Sequence, residues 1–235
     1  MKLVAFASCT SLLVALAACQ AATAEGPKPE PPPEQRFERD MTLRFHMHQS
    51  FDLVRAIERL LIRGKLEEAK RLANTIAIAP AEPAHGPWAA YAAAVRDRAM
   101  AVARATTVDE ALRKETLLAT ACGDCHREHH GSAMFESPPP PPPDAPTLDR
   151  RMARHRWAAD RLWEAVVGDA DGAWQGALEV LAAAPLELGA DRAALARELQ
   201  RVASTARRAK RPVIDRAGTY GEILVICAGC HAKTR

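Results

Sequence analysis

The sequence predicts an all-α protein built as two tandem antiparallel four-helix bundles, and three observations lead there. Ala- and Leu-rich stretches with apolar residues at helical spacing cover most of residues 38–235, and none reads as a strand. These stretches fall into two series of four, broken at matching places by Gly, Asp or Pro. Each series ends in the same string, Cys122-Gly-Asp-Cys125-His126 in the first and Cys227-Ala-Gly-Cys230-His231 in the second.

In chain order, residues 1–18 read as an export signal. Lys2 supplies a minimal positive start, and the run from Leu3 to Ala18 carries no charge but is too short to span a bilayer comfortably. Its end, Leu16-Ala17-Ala18-Cys19, resembles the lipobox of bacterial lipoproteins. That resemblance implies that Cys19 becomes the lipidated first residue of the mature chain. Gln20 after it, in place of Asp, implies an outer-membrane destination. Ordinary cleavage after Ala22-Thr23-Ala24 is the alternative. Residues 19–37, rich in Pro, Ala and Glu, are expected to form an extended tether.

The first domain, 38–135, is expected to hold helices over about 40–63, 66–79, 88–105 and 108–127. Gly64, the loop from Pro80 to Pro87 and the box Thr107-Val-Asp-Glu110 separate them. A linker, 136–146, contains six consecutive prolines from Pro138 to Pro143, which as polyproline II would span about 19 Å. The second domain, 147–235, is expected to hold helices over about 148–168, 172–183, 189–210 and 213–231. Asp169–Asp171, Pro185 and Pro212 separate these. Four amphipathic helices joined by short loops make a bundle.

Cys-x-x-Cys-His is the string by which a chain attaches haem covalently, the two thiols adding to the vinyl groups and the histidine binding iron. The two copies use every cysteine beyond Cys9 and Cys19. The expected cofactors are two haem c groups, held by Cys122 and Cys125 and by Cys227 and Cys230, with His126 and His231 as proximal ligands. A redox dithiol would call for a βαβ setting. Zinc would require four ligands drawn from two motifs across a six-proline spacer.

The first helices of the two series align with His46 on His155, which sets Leu53 on Leu162 and Ile57 on Val166. At 100° per residue Leu53 and Ile57 lie within about 20° of His46, so both histidines are expected to face the interior as distal ligands. His48 is the alternative in the first domain, although it lies about 200° round the helix from His46, beside Asp52 and Arg55. Met41, Met47 and Met152 are further candidates, and His46 could be an interior histidine with no ligand role. His129 and His130 read as surface residues, and His85 as a loop residue. Trp157, Trp163 and Trp174 sit at core spacing.

With its haem motif on the last helix, each domain resembles the class II c-type cytochromes, the cytochrome c′-like bundles. The resemblance covers essentially all of residues 38–235. It implies an electron carrier of the cell envelope, periplasmic and held to the membrane through Cys19, that serves redox partner proteins. It also implies that the chain could dimerise, as many class II relatives do. The family often meets the distal face through a Met, from which His46 and His155 depart. Two histidine ligands would lower the potential relative to His/Met ligation. Some members leave the distal side open for nitric oxide or carbon monoxide, which gives a gas-binding or sensing protein as the competing function.

The sequence offers no peroxide-cleaving His/Arg pair, so the expectation is a carrier and not an enzyme. The formal charge of +3 gives no argument for nucleic acid. The second domain is the more basic, and Arg207, Arg208, Lys210 and Arg211 form a cluster before the last helix. That cluster could dock an acidic partner, or it could simply be the basic end that helices favour.

Overall fold

The structure, a computed structural model, describes residues 33–79, 88–128, 140–144, 147–183, 188–209 and 213–232, with side chains from 44 in the first helix and from 215 in the last. The described residues form eight α-helices and no strand. These are α1 (Pro33–Ile62), α2 (Leu66–Ala77), α3 (Ala89–Ala103), α4 (Val108–Glu128), α5 (Leu148–Gly168), α6 (Asp171–Ala182), α7 (Ala190–Arg208) and α8 (Val213–Ala232). The leader, Cys19, the Pro80–Pro87 loop, His85, His129, His130, Lys210 and Arg211 lie outside the described residues.

Local chemistry explains the boundaries. Gly64 ends α1 at φ 69°, a left-handed conformation that glycine adopts without steric cost. Its N–H bonds the Leu61 carbonyl at 2.8 Å, and Lys65 N–H bonds Leu60 at 2.9 Å, which together make a Schellman closure. Thr107 Oγ1 accepts from the Glu110 N–H at 3.1 Å and caps α4. The returning bond of the capping box lands one residue earlier than the sequence implies, from Thr106 N–H to Glu110 Oε2 at 2.7 Å. Asp169 ends α5 in the left-handed region at φ 53°, where a short polar side chain is tolerated. One boundary differs clearly from expectation. α1 begins at Pro33, inside the stretch expected to be tether, because proline suits the first turn of a helix, where its missing N–H leaves no bond unmade.

Within the first half, α1 packs on α2, α2 on α3, and α3 and α1 on α4; the second half repeats these neighbours with α5 to α8. The halves also pack against one another, α4 on α8, α4 on α5 and α1 on α8. One continuous buried cluster draws on all eight helices, from Ile57 and Leu61 through Leu112 and Leu118 to Leu162, Leu178, Ile223 and Leu224. Each such side chain contributes about 1.5–3 kcal/mol by leaving water.

Two glycines let the halves approach. A Cβ on Gly221 of α8 would lie 3.1 Å from Thr116 Oγ1 of α4, and one on Gly123 of α4 would lie 2.8 Å from the Val166 carbonyl oxygen of α5. Phe51 meets the Trp163 ring edge-on at 4.8 Å between centroids, and Arg55 stacks over that ring at 5.4 Å. In the linker, residues 140–144 form neither helix nor strand, and the Pro142 carbonyl accepts from Arg154 of α5. Pro142 therefore lies against the second half.

Candidate functional site

Both motifs occupy the last turns of the final helix of their half, α4 and α8. Helical periodicity sets Cys122, Cys125 and His126 on one face, and Cys227, Cys230 and His231 likewise. No disulfide joins these four cysteines, and each is partly exposed as a residue. Burial of the sulfur first, then the neighbouring Cys125 and Glu115, push the Cys122 thiol up to about 12. Burial, then Glu58 and Cys230, do the same to Cys227. Burial also raises Cys125. Thiols raised in this way are poor nucleophiles for disulfide exchange. Among the described residues no group of three or more His, Cys, Asp or Glu is arranged to hold a bare metal ion.

The histidines are set up as neutral imidazoles, the form that binds iron. Burial lowers the pKa of His126. Burial, then Arg63 and Arg192, lower that of His231. His155, half-buried on α5, is brought down to about 4 by burial first and then by the positive charge of Arg154 and His231. His155 and His231 are thus near enough to feel one another.

The first half differs. His46 and His48 are both exposed, and so is every residue from 44 to 49. Six consecutive exposed residues cover the whole circumference of α1 at that level. His46 does lie over Ile57, which is fully buried, but the interior that this face enters begins lower, around Val54. His46 is thus exposed on α1, whereas His155 is half-buried on a stretch of α5 that is packed. Of the methionines, Met47 is exposed and Met152 half-buried.

The residues present fit a covalently attached haem on three counts. Two thiols and an imidazole share one helix face at each motif. Burial favours the neutral form of both imidazoles. Buried polar atoms next to the motifs also lack partners among the described residues: His126 Nδ1 and Arg127 Nη1 at the first, and Arg192 Nε at the second.

Between the motifs lies a buried polar cluster that the sequence reading missed. Arg55 and Glu58 of α1 pair at 2.7 Å, and Tyr220 of α8 donates its hydroxyl to the same Glu58 oxygen. Arg55 also reaches Asp160 of α5 and lies 3.4 Å from the Tyr220 hydroxyl. Glu115 of α4 is fully buried, and neither carboxyl oxygen has a partner among the described residues. Burial works against the charge on Arg55, but Glu58, Tyr220 and Asp160 hold its pKa above the usual arginine value. Burial raises Glu58, opposed by Arg55 and Tyr220. Burial and then Glu58 raise Glu115 well above the carboxylate range. Burial and then Glu58 do the same to the Tyr220 phenol. The signal was present in the sequence: Glu115 continues the stripe Ala111, Leu118, Cys122, and Glu58 lies between Val54 and Leu61 at the same spacing.

Trp163 and Trp174 are core residues, as their spacing implied, while Trp157 is half-buried. Arg207 and Arg208 are exposed in the last turn of α7. A cavity of about 520 Å³ between Ala77 and Arg104 is lined by no motif residue. No helix among the described residues is long and apolar enough to cross a membrane. No protein-family model, no curated protein and no solved structure matches the chain.

Proposed function

We propose that the protein is a dihaem c-type cytochrome that carries electrons in the bacterial cell envelope, each half a four-helix bundle. The observation that carries this reading is the duplicated Cys-x-x-Cys-His, each copy closing the final helix of its half. Covalently bound haem supplies a one-electron ferric/ferrous couple. Cys122 and Cys125, with Cys227 and Cys230, would hold the two groups by thioether bonds, and His126 and His231 would bind the iron. His155 would supply a further iron ligand in the second half. Arg127 and Arg192, each with a buried N–H that lacks a partner among the described residues, would offer donors to the group beside each. Lipid attachment at Cys19, the periplasmic face of the outer membrane and acidic redox partners at Arg207 and Arg208 complete the proposal.

The exposure of His46 favours a second reading for the first half alone, an open distal side that takes nitric oxide or carbon monoxide. Both readings are tested by absorption spectra of protein matured with haem c, oxidised and reduced, before and after carbon monoxide. Two haems per chain with sharp low-spin bands, unmoved by the gas, support two saturated irons and pure electron transfer. One carbon monoxide-reactive haem in two supports the open first site. His155→Ala then adds the second haem to the reactive fraction. A chain without haem absorption overturns the proposal.

A further inference from the structure

We infer that the buried cluster of Glu58, Glu115, Tyr220 and Arg55 is a proton-coupling site, at which arrival of an electron at either haem is accompanied by uptake of a proton on the carboxyl pair. This rests on the dihaem reading above and adds to it a proton as second cargo.

The geometry carries the inference. Glu115 precedes Cys122 by seven residues on α4, and Tyr220 precedes Cys227 by seven on α8, about 10 Å along each helix axis. Glu58 accepts from Tyr220 across the halves, and its charge acts on Glu115. The carboxyl pair therefore lies between the two cofactor attachments, with one member or its hydrogen-bond partner about two turns from each. Both carboxyls are sealed from water, Glu58 at 2% and Glu115 at 0% exposure. A unit charge at that distance, in a medium of effective dielectric about 20, changes a proton-binding constant by on the order of tenfold.

The charge balance fixes the direction. Among the described residues Arg55 is the cation bonded to Glu58, and it is shared with Asp160, while Arg59 acts on Glu58 from the same helix. Burying a second carboxylate with no donor is costly, so the pair holds one proton at rest and titrates as a unit. From α5, Asp160 bears on Glu58, and Glu164 lies beside Asp160 and Arg55 while paired with Arg161. From α4 and α8, the Cys122 and Cys227 sulfurs and the Tyr220 phenol face the cluster, neutral throughout. In the step itself, an external one-electron donor is oxidised, Fe(III) becomes Fe(II), and one carboxylate of the pair takes a proton from solvent to become a carboxylic acid. Charge within the buried region is thereby unchanged.

The test is the pH dependence of the midpoint potentials of the haem-loaded protein, with haem content measured first. Potentials are expected to fall as pH rises, by no more than about 59 mV per tenfold change in proton activity. Loss of that slope in Glu115→Gln or in Glu58→Gln supports the inference and identifies the titrating member. An unchanged slope in both variants overturns it. Redox-difference infrared spectroscopy on the wild type reads the same event without a variant. A carboxylic C=O band that appears on reduction and shifts in heavy water is expected, and its absence overturns the inference. A chain that carries no haem overturns the parent proposal, whereas a loaded chain with pH-independent potentials overturns this inference alone.

Discussion

Glu115 is costly to keep where it is. A buried carboxyl without a donor is penalised in either protonation state, and an apolar side chain of similar size removes the penalty while filling the same space. Glu115→Met is therefore expected to raise stability by on the order of 1–3 kcal/mol in chemical denaturation. A loss of stability would show instead that the carboxyl has a partner. The comparison with Tyr220 sharpens the point: aligned on their motifs, α4 and α8 place Glu115 where Tyr220 stands, and only Tyr220 has its hydroxyl bonded. An otherwise repeated plan keeps an unpaired carboxyl in one half, which fits a residue retained for proton chemistry at the expense of stability.

At the scale of elements, closures set most helix ends, and they respond to single changes. Gly64→Ala forces a Cβ into the left-handed region and is expected to cost about 1–2 kcal/mol, read by denaturant titration. The α4 cap gives a pH signature. Glu110 is lowered to about 2, chiefly by its bond to Lys114 and then by those to Thr106. A carboxyl depressed in the folded state contributes stability that is complete above its unfolded value of 4.5 and is lost as pH falls towards about 2. The melting temperatures of wild type and Glu110→Gln should therefore differ at neutral pH and converge in acid. A constant gap would show that the carboxyl charge plays no part in the cap. These closures were legible because Gly64 and Thr107-Val-Asp-Glu110 fix local geometry whatever surrounds them. The start of α1 was not, since Pro32 and Pro33 read equally as tether and as a first helical turn. Nor was the exposure of His46: helical phase says which way a side chain points, and only tertiary packing says whether a neighbour is there to meet it.

For the whole molecule, repetition in the sequence suggested two domains separated by a stiff spacer, while nothing in either half alone announced the face between them. The amphipathic stripes of α1, α4, α5 and α8 are broad enough to bury one side within a half and another across it, and periodicity cannot divide the two. Gly221 and Thr116 occupy equivalent positions after the motifs are aligned, and they meet at the contact of α4 with α8. The packing between halves thus brings like position against like, as a dimer of two separate copies does about a two-fold axis. The linker then serves to join two halves that already fit, and cutting it should not release them. With a protease site inserted after Ser137, the cleaved wild-type halves are expected to co-elute in gel filtration. Gly221→Leu sets several further atoms where a Cβ alone would be 3.1 Å from Thr116 Oγ1, and should separate them. Wild-type pieces that part on cleavage would show that the chain connection holds the halves together, and would remove the shared interior in which Glu58 meets Tyr220.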